Sequence, residues 1–149
     1  MVQSPPAYRI EATDRPDPSI RDVLADALLA YNETWLGPSA SRPLALLIRS
    51  QDGAQVVGGL WGRTSFRWLY VELLFLPEAL RGRHIGKELL TLAETEARKR
   101  GCLGSWLDTF SSKAHGFYEA HGYRLFGGIA DYPPGHSRRS LMKRFEDQG

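Results

Sequence analysis

The stretch that most limits what this chain can become is Trp68 to Leu76, a run of apolar residues broken only by Glu72, which leads through Pro77-Glu-Ala-Leu-Arg81-Gly-Arg-His-Ile-Gly86-Lys87 into a helical pattern. The run is too short for the roughly 20 residues of a membrane helix. With the flanking residues 66–76 it reads as a strand apolar on both faces, which belongs at the centre of a sheet. From His84 to Arg100, Ile85, Leu89, Leu92, Ala93 and Ala97 fall on one helical face, with Glu94, Glu96, Arg98 and Lys99 on the others. Gly101 stands where a helix-terminating glycine is expected. A buried strand, a basic turn and an amphipathic helix therefore follow one another directly.

Such a turn suits an anion. Open backbone N–H groups, the positive end of the helix dipole and the side chains of Arg81, Arg83 and Lys87 can together hold a pyrophosphate without a metal. The turn is not a Walker loop: Gly82 to Gly86 is one residue too short, and Glu88 occupies the place of the magnesium-binding hydroxyl. No G-x-G-x-x-G follows a strand, which removes the dinucleotide-binding fingerprint.

Around this centre the rest of the chain reads as a mixed α and β domain. Tyr8 to Ala12 is expected as a short edge strand, and Ser19 as the N-cap of an amphipathic helix carrying Ile20, Val23, Leu24, Ala27, Leu28 and Tyr31 on one stripe and ending near Trp35 and Gly37. Leu44 to Arg49 and Gln55 to Trp61 form strands about an Asp52-Gly53 turn, and a second turn at Arg63 to Ser65 completes an antiparallel meander with the central strand. Beyond Gly101 come a strand at 103–110, a short helix at 112–121, a strand at 123–129, a loop at 131–137 and a last strand near 140–145. The expected fold is α+β, one domain over residues 1–149 with six to seven mostly antiparallel strands flanked by helices.

Composition narrows the partners. Nineteen Lys plus Arg against seventeen Asp plus Glu leave a net charge of +2, too little for a broad field drawing the protein onto nucleic acid or membrane. Cys102 is the sole cysteine, so no internal disulfide forms. The start MVQSPPAYRI carries no apolar or Arg-rich leader, and a cytoplasmic protein is expected. No His, Cys and Asp grouping has zinc-site spacing, so no metal is expected and His115 and His121 receive no such role. A homodimer is compatible with all of this.

The segment from Arg81 through Gly82, Arg83, His84 and Ile85 to Gly86 resembles the pyrophosphate motif of the GNAT superfamily of acyl-CoA-dependent N-acyltransferases, Arg/Gln-x-x-Gly-x-Gly/Ala. Arg81 and Gly86 are in register, but His84 replaces the middle glycine. Further on, Ser111-Ser-Lys-Ala114-His-Gly-Phe117-Tyr118-Glu-Ala-His-Gly122-Tyr123 is similar to that superfamily's Asn-x-x-Ala-x-x-Phe-Tyr-x-x-x-Gly-Phe/Tyr segment, with Ser111 replacing Asn. Both segments occur in family order, and the succession of elements matches over nearly the whole chain. The two departures leave room for a non-catalytic acyl-CoA-binding module, or for a protein-interaction domain with a decayed cofactor site.

The resemblance implies an N-acetyltransferase that binds acetyl-CoA at residues 81–87 with Ser111 nearby, pairs the pantetheine arm with Leu74, and acetylates a small-molecule amine by direct attack through a tetrahedral intermediate. The backbone N–H of Leu76 would stabilise the oxyanion, and Tyr118 would protonate the leaving thiolate. Packing is the competing reading of Tyr118. An alkylamine with a lysine-like pKa lies about 4.6 kcal/mol from its neutral form at pH 7, so a base is useful. Glu72 is the candidate, its pKa raised by burial in the central strand; pairing with an arginine or facing solvent are the alternatives. The acceptor is expected between Tyr31 and Trp35 on the early helix and Tyr132 and His136 in the late loop. Asp108 reads as a cap for the turn that follows it, and Cys102 as a small packed residue.

Overall fold

Within the first thirty-seven residues the helix is set by its entry. In this computed structural model, which describes residues 4–146, α1 (Pro18–Leu36) is capped by Asp17, whose carboxylate accepts the Ser19 N–H at 2.9 Å. The expected cap, Ser19, is instead inside the helix, because Pro18 is preset for the first helical position, where no N–H is needed. Tyr8 to Ala12 pairs with no strand and stays irregular; Tyr8 and Ile10 are exposed, so the segment has no apolar face buried to fix it as an edge. The chain forms two compact units, Met1–Gly37 and Pro38–Gly149.

The second unit is built on a six-stranded sheet with spatial order β1-β2-β3-β4-β6-β5. Its strands are β1 (Arg42–Arg49), β2 (Val56–Ser65), β3 (Trp68–Phe75), β4 (Gly104–Thr109), β5 (Arg124–Ala130) and β6 (Ser137–Arg144), with α2 (Ile85–Lys99) before β4 and α3 (Ser112–Ala120) after it. The meander of β1, β2 and β3 is antiparallel and β3 is interior, as its double-sided apolar pattern requires. The turn between β2 and β3 comes later than the sequence suggests, at Phe66 and Arg67, both with positive φ. A two-residue turn of that hand matches the twist of paired strands. At the other end β6 starts three residues before the expected strand, since Ser137, Arg138 and Arg139 are polar and read as loop.

The α2 helix lies across β1 to β4, burying Leu90, Ala93 and Ala97 in one cluster with Leu60, Leu69, Leu107 and Leu141. It ends at Gly101, φ +82, with the Cys102 N–H returning to the Ala97 carbonyl at 3.0 Å. Cys102 is buried, and burial pushes its thiol up, in keeping with a packed residue.

One feature of the sheet creates the site. β3 and β4 pair in parallel only from Trp68 to Val71 and Gly104 to Leu107. Beyond that β3 continues to Phe75 against β2 alone, and β4 to Thr109 against β6 alone. The two central strands therefore part, and a cavity opens between them.

Candidate active site

The cavity, about 1040 Å³, runs from the β3 edge at Val71 to Leu76, past the turn at Arg81 to Lys87, to the end of β4 and the inner side of α3. Its size suits a drug-sized ligand.

At one end stands the turn. Gly82 and His84 have positive φ, +77 and +61, so the chain curls as it enters α2. The first turn of a helix leaves its N–H groups without intrahelical acceptors; here Glu88 is the first to donate back, to the His84 carbonyl at 3.1 Å. His84, at the N-cap, contributes no side-chain hydrogen bond to these groups. The residues that carry them, Ile85 to Lys87, line the cavity together with Arg81, a donor set that fits phosphate oxygens. Arg81 is tied by its Nε to the Leu76 carbonyl at 3.0 Å, leaving the rest of its fork for an anion. Gly86 is packed against Leu76 and Phe117, where an added Cβ would sit at ordinary contact distance. Arg83 lies outside the cavity lining.

Across the cavity Ser111 caps α3, its hydroxyl accepting the Ala114 N–H at 3.1 Å. Two turns on, Tyr118 is buried beside Phe117 and Tyr123, with ring centroids 5.2 and 5.9 Å away. Its ring packs, yet its residue lines the cavity. Burial raises its pKa, so the phenol keeps its proton at neutral pH.

Behind Tyr118 lies a buried ionic cluster. Glu94 of α2 accepts from Lys143 at 2.7 Å and from the Tyr123 hydroxyl at 3.1 Å, and His121 Nε2 stands 3.4 Å away. Lys143 also donates to the His121 carbonyl at 3.0 Å. The end of α3 is thereby fastened to α2 and β6.

Glu72 lines the cavity, but it is exposed rather than buried. The cause is a bulge: Trp61 pairs with Leu73 and Gly62 with Val71, so Glu72 is the extra residue on β3. Bulges re-aim side chains. The expected burial is absent, and so is an arginine partner; Glu72 makes no ion pair among the described residues. Leu74 faces Leu60 in the β2 register and Leu76 follows the strand, both lining the cavity.

Asp108 is not a turn cap. Its carboxylate accepts a hydrogen bond from the Ser140 hydroxyl and pairs with Arg138 at 3.3 Å, while the turn is held by Thr109, which accepts the Ser111 N–H at 3.2 Å. Arg138 also donates to the Tyr132 hydroxyl at 3.2 Å, and Tyr132 stacks on Phe110. His136 is exposed in the loop, and neither it nor Tyr132 lines the cavity. Tyr31 and Trp35 are exposed on α1, in the first unit. Sequence reasoning missed Arg138, Ser140 and Phe110; the alternation of Trp106, Asp108 and Phe110 against the buried Ser105 and Leu107 was the signal for the last of these.

Among the described residues no group of His, Cys, Asp and Glu could hold a metal, and no helix is long and apolar enough to cross a membrane.

Comparison with known proteins gives this cavity a context. Residues 7–123 match the acetyltransferase (GNAT) family. An acetyltransferase of Agrobacterium fabrum is 44% identical over 89% of this chain and 96% of its own length. A blasticidin-S acetyltransferase of Streptomyces morookaense is 37% identical over 84% of this chain and 93% of its own. A crystal structure from Agrobacterium tumefaciens, described as an acetyltransferase, superposes with a TM-score of 0.86 at 42% identity, covering 93% of this chain and all of that one. The chain belongs to the GNAT family and is an acetyl-transferring enzyme whose donor is acetyl-CoA.

Proposed function

We propose that this acetyltransferase delivers its acetyl group to an amine on a small molecule, by direct attack of the amine on the thioester. The observation that carries the reading is that one cavity joins three features: the N–H groups at the start of α2, at residues 85–87, the phenol of Tyr118 and the carboxylate of Glu72, which makes no ion pair among the described residues. The relative named for blasticidin S supports a small-molecule acceptor.

Acetyl-CoA supplies the activated acetyl group. Its phosphates would be held by the backbone of Gly82 to Lys87, with Arg81 and Lys87 adding charge and Ser111 near; Arg83, outside the lining, would act only through its field. Leu74 would align the pantetheine arm along the unpaired edge of β3, and the Leu76 N–H would face the developing negative charge. Glu72 takes the amine proton, directly or through water, which its exposure permits. Tyr118 Oη gives its proton to the departing sulfur. Tyr31, Trp35, Tyr132 and His136 are acceptor contacts on the resemblance alone. Residues 1–149 act as one functional domain, a proposal supported by the family match over residues 7–123, which runs across both units.

The test is to incubate the enzyme with isotopically labelled acetyl-CoA and a metabolite extract, then search the low-mass fraction by mass spectrometry. Label in an N-acetyl amine is the expected result. Label remaining in acetyl-CoA, or transferred only to protein, would refute the reading.

A further inference from the structure

The sheet face opposite α2 carries a charge arrangement that the acetyl-transfer chemistry does not use. Arg63 of β2 pairs with Tyr70 of β3, Tyr70 with Trp106 of β4, and Asp108 with Ser140 of β6. Tyr70 and Trp106 stack with centroids 4.3 Å apart, and the Arg63 guanidinium stands 5.1 Å from the Tyr70 centroid. Burial, and then the negative charges of Asp108 and Glu72, raise the Tyr70 pKa, while Arg138 and Arg63 pull it down. Two carboxylates and two guanidiniums therefore act on one phenol.

Within this group Arg138 is prepared for a ligand. Asp108 holds one end of its fork and Tyr132 the other, and its guanidinium carbon lies 5.2 Å from the Phe110 centroid and 5.4 Å from that of Tyr132. Two of the five N–H donors of an arginine are thus used and the plane is fixed. The side chain remains one-third exposed and, with Glu72, Asp108 and Phe110, lines the cavity that holds Tyr118. Asp108, itself engaged by Arg138 and Ser140, has little left to offer an incoming cation. Glu72 makes no ion pair among the described residues. The acceptor end of the cavity thus presents an available anion and, fixed near it, a cation with donors to spare.

We propose that the acceptor is an amine that also carries a carboxylate, the amine directed to Glu72 and the carboxylate docking on the Arg138 fork. This deepens the amine-acetylation reading and rests on it. A polycationic acceptor would meet Arg138 unfavourably, and a plain amine would leave its donors unused, whereas a zwitterion satisfies both ends. Arg138 is a specificity-determining residue here, and Asp108, with Tyr132, a positioning one.

The test compares matched amines at saturating acetyl-CoA, following thiol release: a series of amino acids and, for each, its decarboxylated amine. The wild type should favour the carboxylated member by at least about tenfold in kcat/KM, as expected for a charge-assisted contact. In Arg138→Gln that ratio should collapse toward one through the acceptor KM, and Arg138→Lys should restore only part of it, having the charge but no fork. A wild-type preference for the decarboxylated series, or a ratio that persists in Arg138→Gln, would overturn this proposal while leaving amine acetylation standing. Absence of turnover in both series, with acetyl-CoA still bound by calorimetry, would instead overturn the amine reading and this proposal together. The wild-type comparison is decisive even if a variant fails to fold.

Discussion

His84 shows how a single backbone angle carries a cost that side-chain contacts do not reveal. It occupies the left-handed region at φ +61, ψ 14, where a Cβ is crowded and where the family motif it resembles has glycine. Replacing His84 by Gly should raise stability by up to about 1 kcal/mol in urea denaturation, with acetyl-CoA affinity unchanged or tighter. Weaker binding in the variant would mean that the imidazole itself contacts the donor. The identity of such residues was legible in the sequence, whereas their setting was not. Glu72 stood out as the acid inside an apolar strand, but nothing in its neighbours announced the bulge that turns it toward the cavity. Asp108 looked like a cap because caps are local, and the Arg138 that claims it lies thirty residues away.

Elements were readable where periodicity was strong and blurred where turn chemistry decided. The α2 pattern gave the helix to within a residue at each end, whereas Phe66 and Arg67 are poor advertisements for the two-residue turn they form. The start of β6, polar in sequence, is a strand because β4 and β5 pair with it on both sides. No local signal could show the cluster joining α2, α3 and β6. Since Glu94 is buried and Lys143 is its cation, Lys143→Met should cost on the order of 3 kcal/mol by leaving a buried carboxylate unpaired. In the same cluster burial lowers the His121 pKa below 6.5, more than Glu94 can restore. The unfolded chain then binds more protons than the native one as pH falls below 6.5, so stability should decline there and recover above it. Denaturation midpoints measured from pH 7.5 to 5 should show a shallower decline in His121→Gln than in the wild type.

For the whole molecule, the parting of β3 and β4 opens a cleft in an otherwise continuous sheet. The apolar pattern gave most strands, but the cleft follows from register, four parallel pairs and no more, which becomes visible only when the strands are placed. The two motifs identified the cleft beforehand because they record its two walls, the α2 turn and the α3 face bearing Tyr118. If those walls work together as argued, the phenol of Tyr118 is needed for turnover and not for binding. The direct measurement is acetyl transfer to the amine identified with labelled acetyl-CoA, made on wild type and Tyr118→Phe, with acetyl-CoA affinity by calorimetry and thermal midpoint recorded for both. Tyr118→Phe should lower kcat by about a hundred- to ten-thousand-fold with affinity and midpoint little changed; wild-type turnover in a folded Tyr118→Phe enzyme would contradict a role for the phenol in proton transfer.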